Sequence, residues 1–315
     1  MRYGTLFYML DLVIIGGSSA ATPAAIYAAR RGLKFKIVTK DFGGELATSG
    51  EIGNWPGIVS TSGISLAQQF REHLEALHVE IEEGVEIEKI IKQTDGTFLI
   101  TAKEPAGASY EAKTVIVATG AHPKELNIPG EKEYRTKGVS YCTVCDGPIF
   151  AGKVTATIGG GNSALESALM LADICSKVYV INKNAQFKGE QVLIDNLKAK
   201  KNVEIILNAK TTEIFGAEFA QGFRYDDTRG AIHELRADGI FVHIGMIPNS
   251  FIVPDEVAKD QFGYIKVNAN CETTVPGLFA AGDVTDVPFK QNPIAAGQGT
   301  IALLSAVGYL NRISQ

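Results

Sequence analysis

Leu12-Val13-Ile14-Ile15-Gly16-Gly17-Ser18-Ser19-Ala20-Ala21 decides the fold of this 315-residue chain. Four consecutive apolar residues, three of them β-branched, suit a central parallel strand, which is buried on both faces. The run ends at two glycines, and alanine-rich sequence follows through about Arg31 before Gly32 stops it. That reads as a strand, a tight turn and a helix. Phe35 to Thr39 is the next strand, so the segment forms one βαβ unit, the first half of a nucleotide-binding fold. In such a unit glycines let the backbone approach a pyrophosphate, and the helix N-terminus favours the anion.

The pattern recurs further along. Val154 to Ile158 is apolar or β-branched, and Gly159-Gly160-Gly161-Asn162-Ser163-Ala164 turns into a helix reaching about Ala172. Val178 to Ile181 is a strand. Gly16 aligns with Gly159, Ser18 with Gly161, Ala21 with Ala164 and Thr39 with Asn182. An internal repeat of this kind implies two related nucleotide-binding domains. Shorter strands follow each copy: Val85 to Ile91, Thr97 to Ala102 and Thr114 to Val117 after the first, and Val203 to Leu207, Gly222 to Tyr225 and Ile232 to Leu235 after the second. The first set closes at Ala118-Thr119-Gly120 and the second at Ile240 to Gly245, each just before a proline, Pro123 and Pro248. These are two crossings between domains. The expected fold is α/β, with two Rossmann-like, three-layer ββα nucleotide-binding domains, the second inserted in the first. Residues 1–120 and 247–315 make the outer domain and 121–246 the inserted one. Leu278 to Asp283 returns the chain to the outer domain, placing a Gly282-Asp283 pair where a carboxylate can meet a cofactor hydroxyl.

Composition narrows the function. Hydrophobic residues make up 45% of the chain, enough for two cores, and the net charge of -5 with no basic block argues against nucleic acid as a partner. Four cysteines, two of them solitary (Cys175 and Cys271), do not make a secreted disulfide framework and fit a reducing cytosol. Leu6 to Leu10 is apolar, but Asp11 interrupts it and no small-residue cleavage site follows. It reads as a short extension leading into a strand, with Met9 an alternative start to Met1, rather than as a signal peptide. No run reaches the roughly 18 apolar residues that span a bilayer. His73, His78, His122, His233 and His243 form no spaced cluster, so no metal site is expected.

Cys142-Thr143-Val144-Cys145-Asp146 carries the chemistry. Two thiols this close can close a small disulfide ring, and a neighbouring carboxyl group can move the proton that exchange requires. The same spacing also suits half a zinc site, which would need two more ligands, or a pair of inert buried thiols. The residues by themselves leave all three open.

Seven motifs in order resemble a known family. Beyond the first fingerprint they are Gly43-Gly44-Glu45-Leu46, Asn54-Trp55-Pro56-Gly57, Ala118-Thr119-Gly120, Tyr141-Cys142 through Asp146-Gly147, Gly159 to Ala164, and Phe279 to Asp283. Nearly the whole chain is similar to the low-molecular-weight thioredoxin reductases of bacteria and archaea. Tyr141 to Phe150 and Asn202 to Gly245 also look like the flavoprotein subunit of alkyl hydroperoxide reductase. The resemblance implies FAD in the outer domain, NADPH in the inserted one, a homodimer, and a thioredoxin-like protein as partner. It implies that Cys145 lies next to the flavin, that Cys142 attacks the partner's disulfide, and that Asp146 is the acid-base group. FAD contacts are implied at Gly16, Ser18, Ser19, Ala20, Thr39, Gly44, Glu45, Leu46, Asn54, Ala118, Thr119, Gly120, Gly282, Asp283, Lys290, Gln291 and Ala295, the last opening the final helix, Ala296 to Leu310. Nicotinamide contacts are implied at Gly159, Gly161, Asn162, Ser163, Ala164, Lys183 and Lys188. Hinges for rotation of the inserted domain are implied near Ala121 to Pro123 and Met246 to Asn249.

Several positions depart from the family pattern. Ser18 stands where the second glycine belongs, and its Cβ would crowd a pyrophosphate. Glu45 replaces a glutamine and brings a carboxylate toward the diphosphate. Where NADPH users carry His-Arg-Arg and a further Arg, this chain has Asn182, Lys183, Asn184 and Lys188. Two lysines can neutralise a 2'-phosphate without arginine's bidentate geometry, and the absence of an acid at 182 and 183 argues against NADH. The alternatives are the same fold fed by NADH or ferredoxin and serving another thiol-redox partner, and a non-catalytic FAD-binding redox sensor.

Overall fold

The computed structural model describes residues 9–49 and 51–315. The expectations about an apolar extension at Leu6 and a start at Met1 lie outside the described residues. The chain divides into two compact units. One comprises the chain up to Thr48, Gly53–His122 and Ile247–Gln315; the other comprises Ser49–Ile52 and Pro123–Met246.

In the first unit the quoted strand, Leu10–Ile15, pairs in parallel with Phe35–Thr39 on one side and Ser109–Val117 on the other. The sheet has seven strands. Six run in the order Ile81–Glu83, Phe35–Thr39, Leu10–Ile15, Ser109–Val117, Phe98–Ala102, Ile87–Lys92, and Leu278–Ala280 also pairs in parallel with Ser109–Val117. Helices α1 (Ala21–Arg30), α2 (Gly63–Ala76) and α6 (Asn292–Ile313) belong to this unit. Successive strand residues point to opposite faces, and both faces are covered. Leu12 and Ile14 join a core with Ala24, Ala25 and Ala28 of α1 and Ala302, Leu303 and Ala306 of α6. Val13 and Ile15 join Ile90, Phe98 and Ile100 of the antiparallel strands, with Ile252 and Val253. That two-sided burial is why the four apolar residues are continuous rather than alternating.

The second unit repeats the plan. A five-stranded parallel sheet runs Val139–Ser140, Gly239–Val242, Val154–Ile158, Lys177–Asn182, Val203–Leu207. Helices α3 (Thr143–Asp146), α4 (Asn162–Ile174) and α5 (Gln191–Ala199) lie in this unit. An antiparallel layer of Lys210–Gly216, Ala220–Asp226 and Ile232–Arg236 supplies Ile214 and Phe223 to the core formed with Ala156 and Ile158. Leu165, Leu171, Val178, Val180 and Phe241 fill the core on the α4 side.

Four local readings change. The strand expected over Val85 to Ile91 is present but begins at Ile87 and runs to Lys92, and Ile81–Glu83, before Gly84, is an additional strand. The sequence hides Ile81–Glu83 because Glu82 is charged, yet that carboxylate accepts from Lys36 Nζ at 2.9 Å and Tyr110 OH at 2.8 Å. Lys210–Gly216 is an additional strand whose polar residues mask it. The last helix begins at Asn292, with Pro293 in its first turn, where a missing N–H costs nothing. That longer helix is also apolar enough by length and composition to cross a membrane, against the expectation that no run reaches that length. Its isoleucines, leucines, Val307 and alanines raise the hydropathy, and it packs on α1 and on Ser109–Val117 with Ala295, Gly299, Ala302, Leu303, Ala306 and Leu310 buried.

Candidate active site

In the first unit a cavity of about 710 Å³ opens at the C-terminal end of Leu10–Ile15. Its size suits a dinucleotide cofactor. Gly16, Ser18, Ser19, Ala20, Thr39, Gly44, Glu45, Leu46, Ala118, Thr119, Gly120, Gly282, Asp283 and Ala295 line it. Gly16 has φ +124, and a Cβ there would lie 2.2 Å from the carbonyl oxygen of Ala118. Only glycine permits this turn, so the position is fixed by the backbone rather than by a ligand contact alone. Burial pushes the Asp283 carboxyl up from its ordinary value; Lys290 pulls it back, and Glu45 adds a repulsion.

Three candidate residues do not line the cavity. Asn54 Nδ2 donates to Gln291 Oε1 at 3.0 Å, so these two hold each other. Lys290 Nζ donates to the Thr285 carbonyl at 2.6 Å and lies over the Tyr264 ring at 4.1 Å. Burial lowers its pKa, while Asp283, Asp286 and Asp260 oppose that shift.

The sequence reading missed several side chains around the cavity. Asn249 donates to the Thr119 carbonyl and accepts at its own carbonyl from Thr119 Oγ1, both at 2.8 Å, while its Oδ1 meets His122 Nδ1 at 2.8 Å. Ser19 Oγ donates to Asn292 Oδ1 at 2.8 Å. Gln298 Oε1 accepts from Gly282 N at 2.8 Å and so fixes the backbone beside Asp283. Asn249, His122, Asn292 and Phe251 all line the cavity. No local pattern marks Asn249, His122 or Asn292, because each bonds a residue remote in sequence.

In the second unit Gly159, with φ +152, makes the matching turn, and its Cβ position lies 2.2 Å from the His243 carbonyl oxygen. Gly161 caps α4, and Asn162 and Ser163 are exposed at its start, while Ala164 is buried. The Asn162 side chain is committed to Glu190: its Nδ2 donates to Glu190 Oε1 at 3.0 Å and its Oδ1 accepts from Glu190 N at 2.8 Å. Asn182 is buried against Gly160, with its amide donating to the Gln186 carbonyl at 2.9 Å. Lys183 and Lys188 are exposed, and the Lys188 N–H bonds the Gly160 carbonyl at 2.7 Å.

Cys142 and Cys145 are joined by a disulfide, which removes the zinc reading for this state. Cys142 caps the short helix α3, its Sγ accepting from Cys145 N at 3.2 Å. Asp146 Oδ2 accepts from Ser140 Oγ at 2.6 Å, and Cys142 N donates to the same Ser140 Oγ at 3.1 Å. The preceding residue is anchored as well: Tyr141 OH donates to the fully buried Glu131, which also accepts from the Leu126 and Asn127 N–H groups. Burial and that carboxylate push the Tyr141 phenol up. Cys175 and Cys271 are buried free thiols, and burial raises the Cys271 pKa to about 11, so neither is a reactive thiolate.

Residues 10–299 match the pyridine nucleotide-disulphide oxidoreductase model. The chain belongs to the pyridine nucleotide-disulphide oxidoreductase family. Members of this family use FAD and NAD(P)H. The chain is 42% identical to the alkyl hydroperoxide reductase F-subunit of Escherichia coli over 304 residues, covering 96% of itself but 58% of that protein. It therefore spans under three-fifths of the curated relatives it matches. Among solved structures, thioredoxin reductase from Streptococcus pyogenes is similar at 34% identity and TM-score 0.88, with 96% of this chain and 99% of that one covered. Thioredoxin reductase from T. acidophilum is 38% identical, with TM-score 0.66 over 96% and 99%.

Proposed function

We propose that the chain is an FAD-dependent thioredoxin-disulfide reductase that draws on NADPH. The observation that carries this is the Cys142–Cys145 disulfide lying in the same unit as the second dinucleotide turn, beside a carboxylate at Asp146. The overall reaction consumes NADPH, one proton and a partner disulfide, and yields NADP⁺ and the partner dithiol.

The first cavity fits FAD by the chemistry of its walls. The Gly16 turn and the start of α1 suit the pyrophosphate, and Thr39 and Asp283 offer oxygens for hydroxyl groups. Bound there, the flavin supplies a two-electron relay between the nicotinamide and the disulfide. Once Cys142–Cys145 is reduced, the Cys142 thiolate attacks the partner disulfide and forms a mixed disulfide. Cys145 then attacks Cys142 Sγ, restoring the ring and releasing the partner as a dithiol. Asp146, held by Ser140, moves the proton that keeps the attacking sulfur a thiolate. Lys183 and Lys188 support NADPH as donor, since both are cations flanking the loop beside Gly160.

A second reading keeps the chemistry and changes the partner to a peroxiredoxin-type protein with NADH as donor. The 42% identity to an alkyl hydroperoxide reductase sequence supports it. Anaerobic bleaching of bound flavin by NADPH and by NADH, followed by oxidation with a thioredoxin or a peroxiredoxin, separates the two. Faster bleaching by NADPH with thioredoxin reduction supports the first; no bleaching by either sinks both and favours ferredoxin or a sensor. We further propose a cytoplasmic homodimer, testable by light scattering of the purified protein.

A further inference from the structure

His243 follows strand Gly239–Val242, and its backbone carbonyl is the oxygen that Gly159 accommodates. Its ring points to the redox helix. His243 Nε2 lies 2.8 Å from Thr143 Oγ1, and Thr143 Oγ1 lies 2.6 Å from Ser167 Oγ on α4. Ser167 Oγ is 3.4 Å from Thr157 Oγ1. Thr143, Ser167 and Thr157 are all buried. His243 keeps some solvent contact, but its ring is desolvated enough to bring the pKa down to about 4. The imidazole is thus neutral, with one ring N–H to give and one lone pair to accept.

We propose that His243 is a positioning residue of the Cys142–Cys145 centre, holding the Thr143 hydroxyl and with it the turn that joins the two sulfurs. This rests on the reading of that pair as the redox centre. Helix α3 has four residues, too few to be stable by itself. Thr143 is its first residue and lies inside the ring that the disulfide closes. A buried polar network that is fully satisfied fixes one geometry, whereas a half-satisfied one does not. Fixing Thr143 reduces the freedom of the open dithiol, so each sulfur meets the other at a higher effective concentration. The network therefore favours the disulfide over the dithiol. Losing it makes the disulfide easier to reduce.

The test is the equilibrium of the flavin-loaded protein with glutathione, in which two glutathione molecules become glutathione disulfide as Cys142–Cys145 opens to two thiols. Alkylation and mass analysis of the peptide carrying both cysteines reads the fraction open. His243→Ala and Thr143→Val are expected to shift the equilibrium about tenfold toward the dithiol, a rise of about 30 mV in potential. Thr143→Ser, which keeps the hydroxyl, and His243→Gln, whose amide reaches the same oxygen, are expected within threefold of the unaltered protein. Retained flavin and a single cooperative melting transition above the assay temperature show that each variant is folded; if His243→Ala fails to fold, the Thr143→Val and Thr143→Ser pair decides. Equal titration of Thr143→Val and Thr143→Ser overturns the proposal, as does a normal His243→Ala. If the unaltered protein never opens across the glutathione range, the redox reading itself fails and the proposal falls with it.

Discussion

At Gly16 and at Gly159 the chain makes one turn twice, and the two copies diverge just beyond it. Both glycines have positive φ, and both leave 2.2 Å between a Cβ position and a carbonyl oxygen, of Ala118 in one unit and His243 in the other. The next residue is crowded in both: a Cβ at Gly17 would meet Thr39 at 3.0 Å, and one at Gly160 would meet Asn182 at 2.7 Å. After that the copies part. Helix α1 begins at Ala21, whereas α4 begins at Asn162, earlier relative to its glycine. The first turn gives onto a cavity of about 710 Å³. The second is crossed by the loop after Asn182, which is tied down by Lys188 to Gly160 and by Glu190 to Asn162. A walled cavity suits a resident cofactor, and a loop-flanked turn suits a ligand that enters and leaves, which is the division of labour the proposed reaction needs.

The two turns can be filled one at a time. Gly16→Ala and Gly159→Ala each place a methyl against a carbonyl at a φ that alanine avoids. Each is expected to cost on the order of 3–5 kcal/mol in its own unit. Gly16→Ala should abolish flavin retention, measured by absorbance after gel filtration. Gly159→Ala should leave the flavin bound yet prevent its bleaching by NADPH. Loss of flavin in both variants would show that the two turns are not independent.

The units should also differ in their response to acid. His243 in the second unit has a folded pKa of about 4 against an ordinary 6.5. The unfolded chain takes up the proton as pH falls below 6.5, while the folded chain resists it until about 4. Stability contributed by the neutral ring is therefore complete above 6.5 and is lost between 6.5 and 4, by at most about 3 kcal/mol. Urea melts at pH 7.5 and 5 should show this loss for the second unit, and His243→Gln should remove that part of it.

Asp283 distinguishes the first unit. Burial raises its carboxyl pKa, so its charge carries a desolvation cost. Asp283→Asn should leave the apoprotein at least as stable by denaturant melts. It should weaken flavin binding roughly 10- to 100-fold, as expected for losing a hydrogen bond to a charged group. Unchanged affinity by fluorescence titration would remove Asp283 from the set of cofactor contacts.

Legibility followed the same division. Gly16 and Gly159 are readable because a backbone that only glycine tolerates leaves a mark in sequence; the Cys142 and Cys145 spacing marks the pair, while the choice among disulfide, zinc and inert thiols needs the structure. Ile81–Glu83 and Lys210–Gly216 were not readable, since charged residues interrupt the apolar signal and find their partners only across the sheet. Asn249, Gln298 and His243 stayed hidden for a related reason. Each bonds a residue far along the chain, at Thr119, Gly282 and Thr143, and a solitary polar residue in an apolar run carries no period to betray it. Helix α6 starts at Asn292, ahead of the expected Ala295, because its first turn accommodates Pro293, whose missing N–H costs nothing there.

The smallest expected effect concerns the loop that distinguishes the second turn. Lys183 and Lys188 are exposed, and neither ammonium has a hydrogen-bond or ion-pair partner among the described residues. Asn182, at the end of the strand, is an uncharged amide, and it is buried with its Nδ2 donating to the Gln186 carbonyl. On the proposed NADPH reading, discrimination against NADH would rest on these two solvated cations. Exposed charge pairs contribute about 0.2–1 kcal/mol and are screened by salt. Lys183→Ala and Lys188→Ala should each raise the KM for NADPH about two- to fivefold at physiological salt and leave that for NADH unchanged. The difference should shrink above roughly 0.5 M salt, where the screening length falls to a few ångströms. A change that persists at high salt would point to packing by the lysine stem rather than charge, and equal changes for both nucleotides would take the 2'-phosphate out of the loop's reach.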